Sequence, residues 1–94
     1  MDPDRLVARP SNTTIAAEVD GDLSLYEPSS ETVAILNGTA SDIWWLCDGV
    51  NTLADTIARL AKAYSVEEES IRPEVISVVE DLLRQGFLQK GSED

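Results

Sequence analysis

The sequence predicts an α+β domain, a three-stranded antiparallel sheet followed by three helices. Residues 13–36 hold three short runs that alternate in polarity or are rich in β-branched residues, parted by Asp-Gly and Pro-Ser-Ser turns. Residues 37–85 hold three runs with apolar residues at helical spacing. The switch falls at one junction, Val33-Ala34-Ile35-Leu36-Asn37-Gly38-Thr39, where a strand pattern stops and a helix pattern begins. Ninety-four residues suffice for one domain with a modest core.

Residues 1–12, with Pro3, Pro10, Ser11 and Asn12, read as a flexible N-terminal arm with a short extended piece at Leu6–Ala8. The domain proper spans residues 13–89. Thr13–Val19 alternates, with Ile15, Ala17 and Val19 on one face, as in a half-buried strand. Leu23–Tyr26 alternates again. A two-residue Asp-Gly turn is the usual hairpin signal. It would pair Val19 with Asp22 and set Leu23 and Leu25 on the face opposite Ile15 and Val19. A three-residue turn pairs Val19 with Leu23 and Ala17 with Leu25, uniting the apolar face, so register favours the longer turn. Glu27–Glu31 is the next turn, and Thr32–Leu36 is the third strand. In a meander of order 1-2-3 that third strand is an edge.

The first helix starts between Asn37 and Thr39. Asn37 is a candidate cap, and Thr39 with Asp42 resembles a capping box. Ala40, Ile43, Trp44 and Cys47 share one stripe, Trp45 points away from it, and Asp48-Gly49 ends the helix. The second helix runs from Thr52 to Tyr64, with Thr52 and Asp55 as a capping box and Leu53, Ile57, Leu60 and Tyr64 as its core face. The third covers about 67–85, its regular part beginning near Ser70 to Pro73, because proline fits a first turn. Gly86 stops it. Phe87–Gln89 is a short extended return, and residues 90–94 are a tail.

Composition narrows the function. The net charge is −11, with 18 acidic and seven basic side chains. Nucleic-acid binding rests on neutralising phosphates, so this balance argues against it. There is no histidine, the commonest general base and metal ligand. Cys47 is the single cysteine and reads as a small buried apolar residue. No Gly-rich phosphate loop or metal-spaced cluster is present, and Glu67-Glu68-Glu69 reads as a solvated helix start. These features predict no enzyme activity, no cofactor and no metal. The lack of an apolar span of about 20 residues, of a signal-peptide pattern and of any cysteine pair predicts a cytoplasmic protein.

The third helix carries surplus apolar surface. At about 100° per residue, Ile71, Val75, Val78 and Leu82 form one stripe, and Ile76, Val79 and Leu83, with Arg72 among them, a second. The arc of about 160° exceeds what one packing partner requires. Either the helix packs two partners, or part of the second stripe lines an open groove. A free strand edge beside such a stripe suits an extended peptide, with main-chain bonds giving affinity and pockets giving selectivity.

Val33-Ala34-Ile35-Leu36-Asn37-Gly38-Thr39-Ala40-Ser41-Asp42-Ile43-Trp44-Trp45-Leu46-Cys47-Asp48-Gly49 resembles the LN-x-T-A-x-x-I-W-x-L-C-D-G core of the PqqD-like family. Leu23–Tyr26, Thr52–Leu60, Val75–Leu83 and Gly86-Phe87-Leu88 continue the likeness over about residues 6–89. The resemblance implies a winged-helix-like fold and a peptide recognition element for ribosomally made, post-translationally modified peptides. It implies that a precursor's leader peptide adds as a strand beside the third strand and packs against the third helix. The implied contacts are Thr32, Val33, Ala34 and Ile35 on the edge, and Arg72, Val75, Ile76, Val79 and Leu83 on the helix. Many members carry Asp where this chain has Glu74 preceded by Pro73, so the helix entry departs from the pattern.

The implied partners are a leader peptide and a modifying enzyme, such as a radical S-adenosylmethionine protein or a leader peptidase. Pathways served by the family include quinone-cofactor (PQQ) and lasso-peptide synthesis. Two other readings stay open. One is a scaffold or dimerisation module using the exposed strand, monomeric or weakly dimeric. The other is a winged-helix nucleic-acid binder, opposed by Glu74, Glu80 and Asp81 against a single Arg84 on the outer side of the third helix.

Overall fold

A computed structural model describes residues 5–10 and 14–91 and shows nine elements. In chain order these are β1 (Leu6–Ala8), β2 (Thr14–Val19), β3 (Asp22–Glu27), β4 (Thr32–Leu36), α1 (Gly38–Leu46), β5 (Asp48–Thr52), α2 (Leu53–Tyr64), α3 (Glu68–Gln85) and β6 (Gln89–Lys90). The domain is α+β, with three helices and antiparallel sheets. The expected meander is present as the sheet β2-β3-β4, with β4 at one end.

The β2-β3 turn corrects the expected three-residue loop. Asp20 and Gly21 have φ of 51° and 86°, and Val19 pairs with Asp22. Two consecutive positive φ values are the type I′ pattern, whose twist matches the flanking strands. Inside β2, one of the three apolar residues is brought back to the register of Leu25. The register shifts between Ile15 and Ala17, so that Ile15 pairs with Leu25 while Ala17 pairs with Ser24 and is exposed. An irregularity of this kind re-aims every residue beyond it. The predicted strand began at Thr13, which lies outside the described residues.

A second sheet, of order β5-β1-β6, is an addition to the expected fold. β1 is its centre, pairing with β5 and β6, and Val7 enters the core. The amides of Leu53 and Gly91 close it further by donating to the carbonyls of Arg5 and Leu6, at 2.9 and 2.8 Å. Leu6–Ala8 is thus integral to the fold, and Lys90 of the expected tail pairs with Val7. Of the arm and tail, residues 1–4, 11–12 and 92–94 lie outside the described residues. Residues 48–52 form a strand where the sequence suggested a helix stop and loop. Asp48 supports it, accepting from the amides of Val50 and Asn51 at 2.9 Å.

Asn37 caps α1, its Oδ1 accepting from the Ala40 amide at 2.9 Å. Thr39 is already inside the helix, so the expected Thr39–Asp42 box does not form. Thr52 and Asp55 do form one, each side chain accepting from the other's amide at 3.0 Å. α3 is continuous from Glu68, through Pro73. The proline leaves the Glu69 carbonyl without its helical donor, on an exposed side where water can serve. Gly86 ends α3 at φ 87°, with the Phe87 amide donating to the Leu82 carbonyl at 2.9 Å.

The core gathers Leu23 and Leu25 from β3, Ile43 and Trp44 from α1, Leu53, Ile57 and Leu60 from α2, and Val75, Val79 and Leu82 from α3. Phe87 and Leu88 complete it, consistent with the expected return of the chain, although the strand itself comes two residues later. Tyr64, expected on the core face, is 37% exposed. Among the described residues, no helix is long and apolar enough to cross a membrane.

Candidate functional site

β4 pairs with β3 from Thr32↔Glu27 to Leu36↔Leu23. Its other side carries no strand among the described residues. Alternate main-chain groups of an edge strand point away from the ladder, so this side offers unpaired donors and acceptors. Ala34 and Leu36 face the core, whereas Val33 and Ile35 are 58% and 71% exposed.

A groove of about 340 Å³ runs along this edge. Val33, Ala34, Ile35 and Leu36 form one wall. Val78, Asp81, Leu82 and Gln85 of α3 form the other, and Ala40 of α1 joins them. The apolar lining has carboxylate and amide groups at its rim. A larger concavity of about 430 Å³ between α1 and α2 includes Trp45, Leu46, Arg59 and Ala63. Helices wall it, and their main-chain groups are paired internally. Of these two concavities, the groove is the one that combines apolar side chains with an open backbone edge.

The placement of the sequence-predicted residues is uneven. Val33, Ala34 and Ile35 line the groove. Thr32 sits at the head of β4, its hydroxyl 2.7 Å from that of Ser30. Val75 and Val79 have no exposed surface and belong to the core. Ile76 and Leu83 are half-buried against that core, and Arg72 is exposed. At about 100° per residue, Arg72, Ile76 and Leu83 share one flank of α3, whereas Val78, Asp81 and Gln85 lie on the opposite flank. The groove opens on the second. Val78 and Leu82 were visible as apolar residues of the first stripe. Asp81 and Gln85 gave no apolar signal at all.

Side chains around the site are structural. Burial pushes the Cys47 thiol up to about 12, with the Arg9 charge opposing it, so no thiolate forms near neutral pH. Arg9 donates to the carbonyls of Trp44 and Trp45 and lies 5.3 Å from both ring centroids, holding the last turn of α1. Glu27, at the far end of β3, accepts from the Ser29 hydroxyl and from the Ser30 amide and hydroxyl. Those bonds hold its carboxyl below the ordinary range. Among the described residues, no three His, Cys, Asp or Glu side chains are placed to hold a metal ion.

Fold and site together define a small α+β domain with an open strand edge facing an apolar helix flank. The chain belongs to the PqqD family: residues 23–88 match the family described as coenzyme PQQ synthesis protein D. Curated relatives include a PqqA binding protein of Rhodopseudomonas palustris (strain HaA2), 35% identical over 63 residues. Another, from Bradyrhizobium diazoefficiens, is 32% identical over the same length. The matched stretch is 67% of this chain, and it spans only 62% and 61% of those two relatives. Among solved structures, TbiB1 in complex with the TbiA(beta) leader peptide shares the fold. Its TM-score is 0.76 at 18% identity, covering 93% of this chain and 99% of that one.

Proposed function

We propose that this protein is a peptide-binding adaptor without chemistry of its own. It captures the leader of a ribosomal precursor peptide as an added strand along β4 and presents it to a modifying enzyme. The observation that carries this is the open edge of β4 lying beside the apolar flank of α3. Relatives described as PqqA binding proteins, and a neighbour of the same fold described in complex with a leader peptide, support it. The contacts are the backbone of residues 32–36, with Val33 and Ile35, and on α3 Val78, Asp81, Leu82 and Gln85. Val75 and Val79 act from below, by fixing the rotation of the helix.

The test is a titration with the leader segments of candidate precursor peptides, PqqA among them, followed by amide chemical shifts. Binding should move residues 32–36 and 78–85, and Val78→Asp should weaken it at least tenfold while the fold is kept. A complex that forms without moving either segment sinks the site.

A second reading has one specific observation behind it. Val33 and Ile35 are too exposed for an idle edge, so a second copy could pair there. Sedimentation over a range of concentrations distinguishes the two. Self-association that a leader peptide does not reverse favours the dimer.

A further inference from the structure

We propose that the hollow adjoining the groove is a specificity subsite for a basic residue, Lys or Arg, of the bound peptide. This deepens, and rests on, the peptide-binding reading above. The hollow, about 230 Å³, is lined by Thr39, Tyr64, Val66, Ser70, Ile71 and Glu74. It continues the groove. Thr39 directly precedes Ala40 of the groove, and Glu74 lies one turn before Val78 on the same flank of α3. A chain following that flank past Val78 meets it next.

Its chemistry is two-sided. Tyr64 and Val66, 37% and 44% exposed, offer apolar surface above the buried Ile71. The one ionised group in the lining is Glu74, which is exposed. A second carboxylate stands behind it, because the Tyr64 hydroxyl donates to Asp42. No Lys or Arg lines either concavity. Arg84 is paired with Asp81 at 2.8 Å, and Arg72 sits on the other flank. A long aliphatic stem ending in a cation matches this arrangement. The stem covers Val66, and the head reaches Glu74 beside the Tyr64 ring. An acidic residue would meet Glu74 and Asp42 within a chain of net charge −11.

The probes are short labelled peptides with Leu or Val at alternate positions. A single Lys, norleucine or Glu is moved along the intervening ones, and binding to the full chain is followed by fluorescence anisotropy. At one position Lys should bind about three- to tenfold tighter than norleucine, the sum of an exposed ion pair and a cation–π contact. That advantage should shrink at least about twofold in Glu74→Gln, which loses the ion pair but keeps the Tyr64 ring, and persist in full in Glu80→Gln, an exposed acid on the far side of α3. If the peptides bind but Lys never exceeds norleucine, the subsite is overturned and the groove stands. The same holds if Glu80→Gln shrinks the advantage as much as Glu74→Gln does. If no peptide binds, the groove reading fails and takes the subsite with it.

Discussion

The indole Nε1 of Trp44 donates to the main-chain carbonyl of Phe87 at 3.0 Å, inside the core. The Phe87 amide in turn donates to the carbonyl of Leu82, a residue that lines the groove. One bond thus ties α1 to the C-terminal turn of α3, across 43 residues. Trp44→Phe keeps an aromatic ring and removes the donor. It leaves the Phe87 carbonyl without its indole partner, at a cost of about 1–3 kcal/mol, with loss of packing added. The urea midpoint should fall with the slope unchanged. A variant as stable as the parent would show that the bond contributes nothing net.

The caps give a paired prediction. Asn37→Ala removes the side chain that accepts from Ala40 and should cost roughly 0.5–2 kcal/mol. Thr52→Ala should cost as much, since Thr52 holds the Asp55 amide. Thr39→Ala should stay within about 0.5 kcal/mol, because Thr39 lies past the cap. Thermal melts of the three variants check the order. A large loss at Thr39 would restore the rejected capping box.

These elements also show what is legible in a sequence. Asn37, the Thr52–Asp55 box and Gly86 could be read because each signal acts within one helical turn. β5 and β6 could not. Asp48–Thr52 holds one apolar residue, Val50, and becomes a strand only because Leu6–Ala8 pairs with it from 40 to 46 residues away. In the hairpin, the Asp-Gly rule and the apolar-face argument point to different registers. The shift between Ile15 and Ala17 keeps the two-residue turn and pairs Ile15 with Leu25, while Ala17 and Val19 stay opposite Ser24 and Asp22, and nothing in Ile15-Ala16-Ala17 marks it. The open edge of β4 followed from strand order alone. The helix flank across from it did not. Both flanks of α3 carry apolar residues, and the choice depends on how Val75 and Val79 settle into the core.

Acid should weaken the fold through two carboxylates. Hydrogen bonds from Ser29, then the Ser30 amide and hydroxyl, hold Glu27 below its ordinary 4.5. The amides of Asn51 and Val50 hold Asp48 below its ordinary 3.8. For a folded-state pKa that is lowered, the stabilisation is complete above the ordinary value and is lost as pH falls through the folded one. Urea midpoints should therefore be flat near neutrality and drop below about pH 4.5. Glu27→Gln should lower stability at pH 7 and flatten the acid limb. An acid limb of unchanged steepness in that variant would remove Glu27 from the account.

The backbone of β4 can be tested apart from its side chains. Neighbouring amides along an antiparallel strand alternate between the paired and the open side. Proline removes one amide donor, so Ala34→Pro and Ile35→Pro remove donors on opposite sides of β4. The variant that loses a bond to β3 should be destabilised by more than the other. The variant that loses an outward amide should keep its fold, because edge strands tolerate proline on the solvent side. It should nevertheless bind the leader peptide at least tenfold more weakly. Alanine at Ile35 should change binding less, because strand addition draws its affinity from main-chain bonds. The checks are circular dichroism for the fold and anisotropy for the peptide. Should both proline variants fold and bind like the parent, the ligand does not pair with β4.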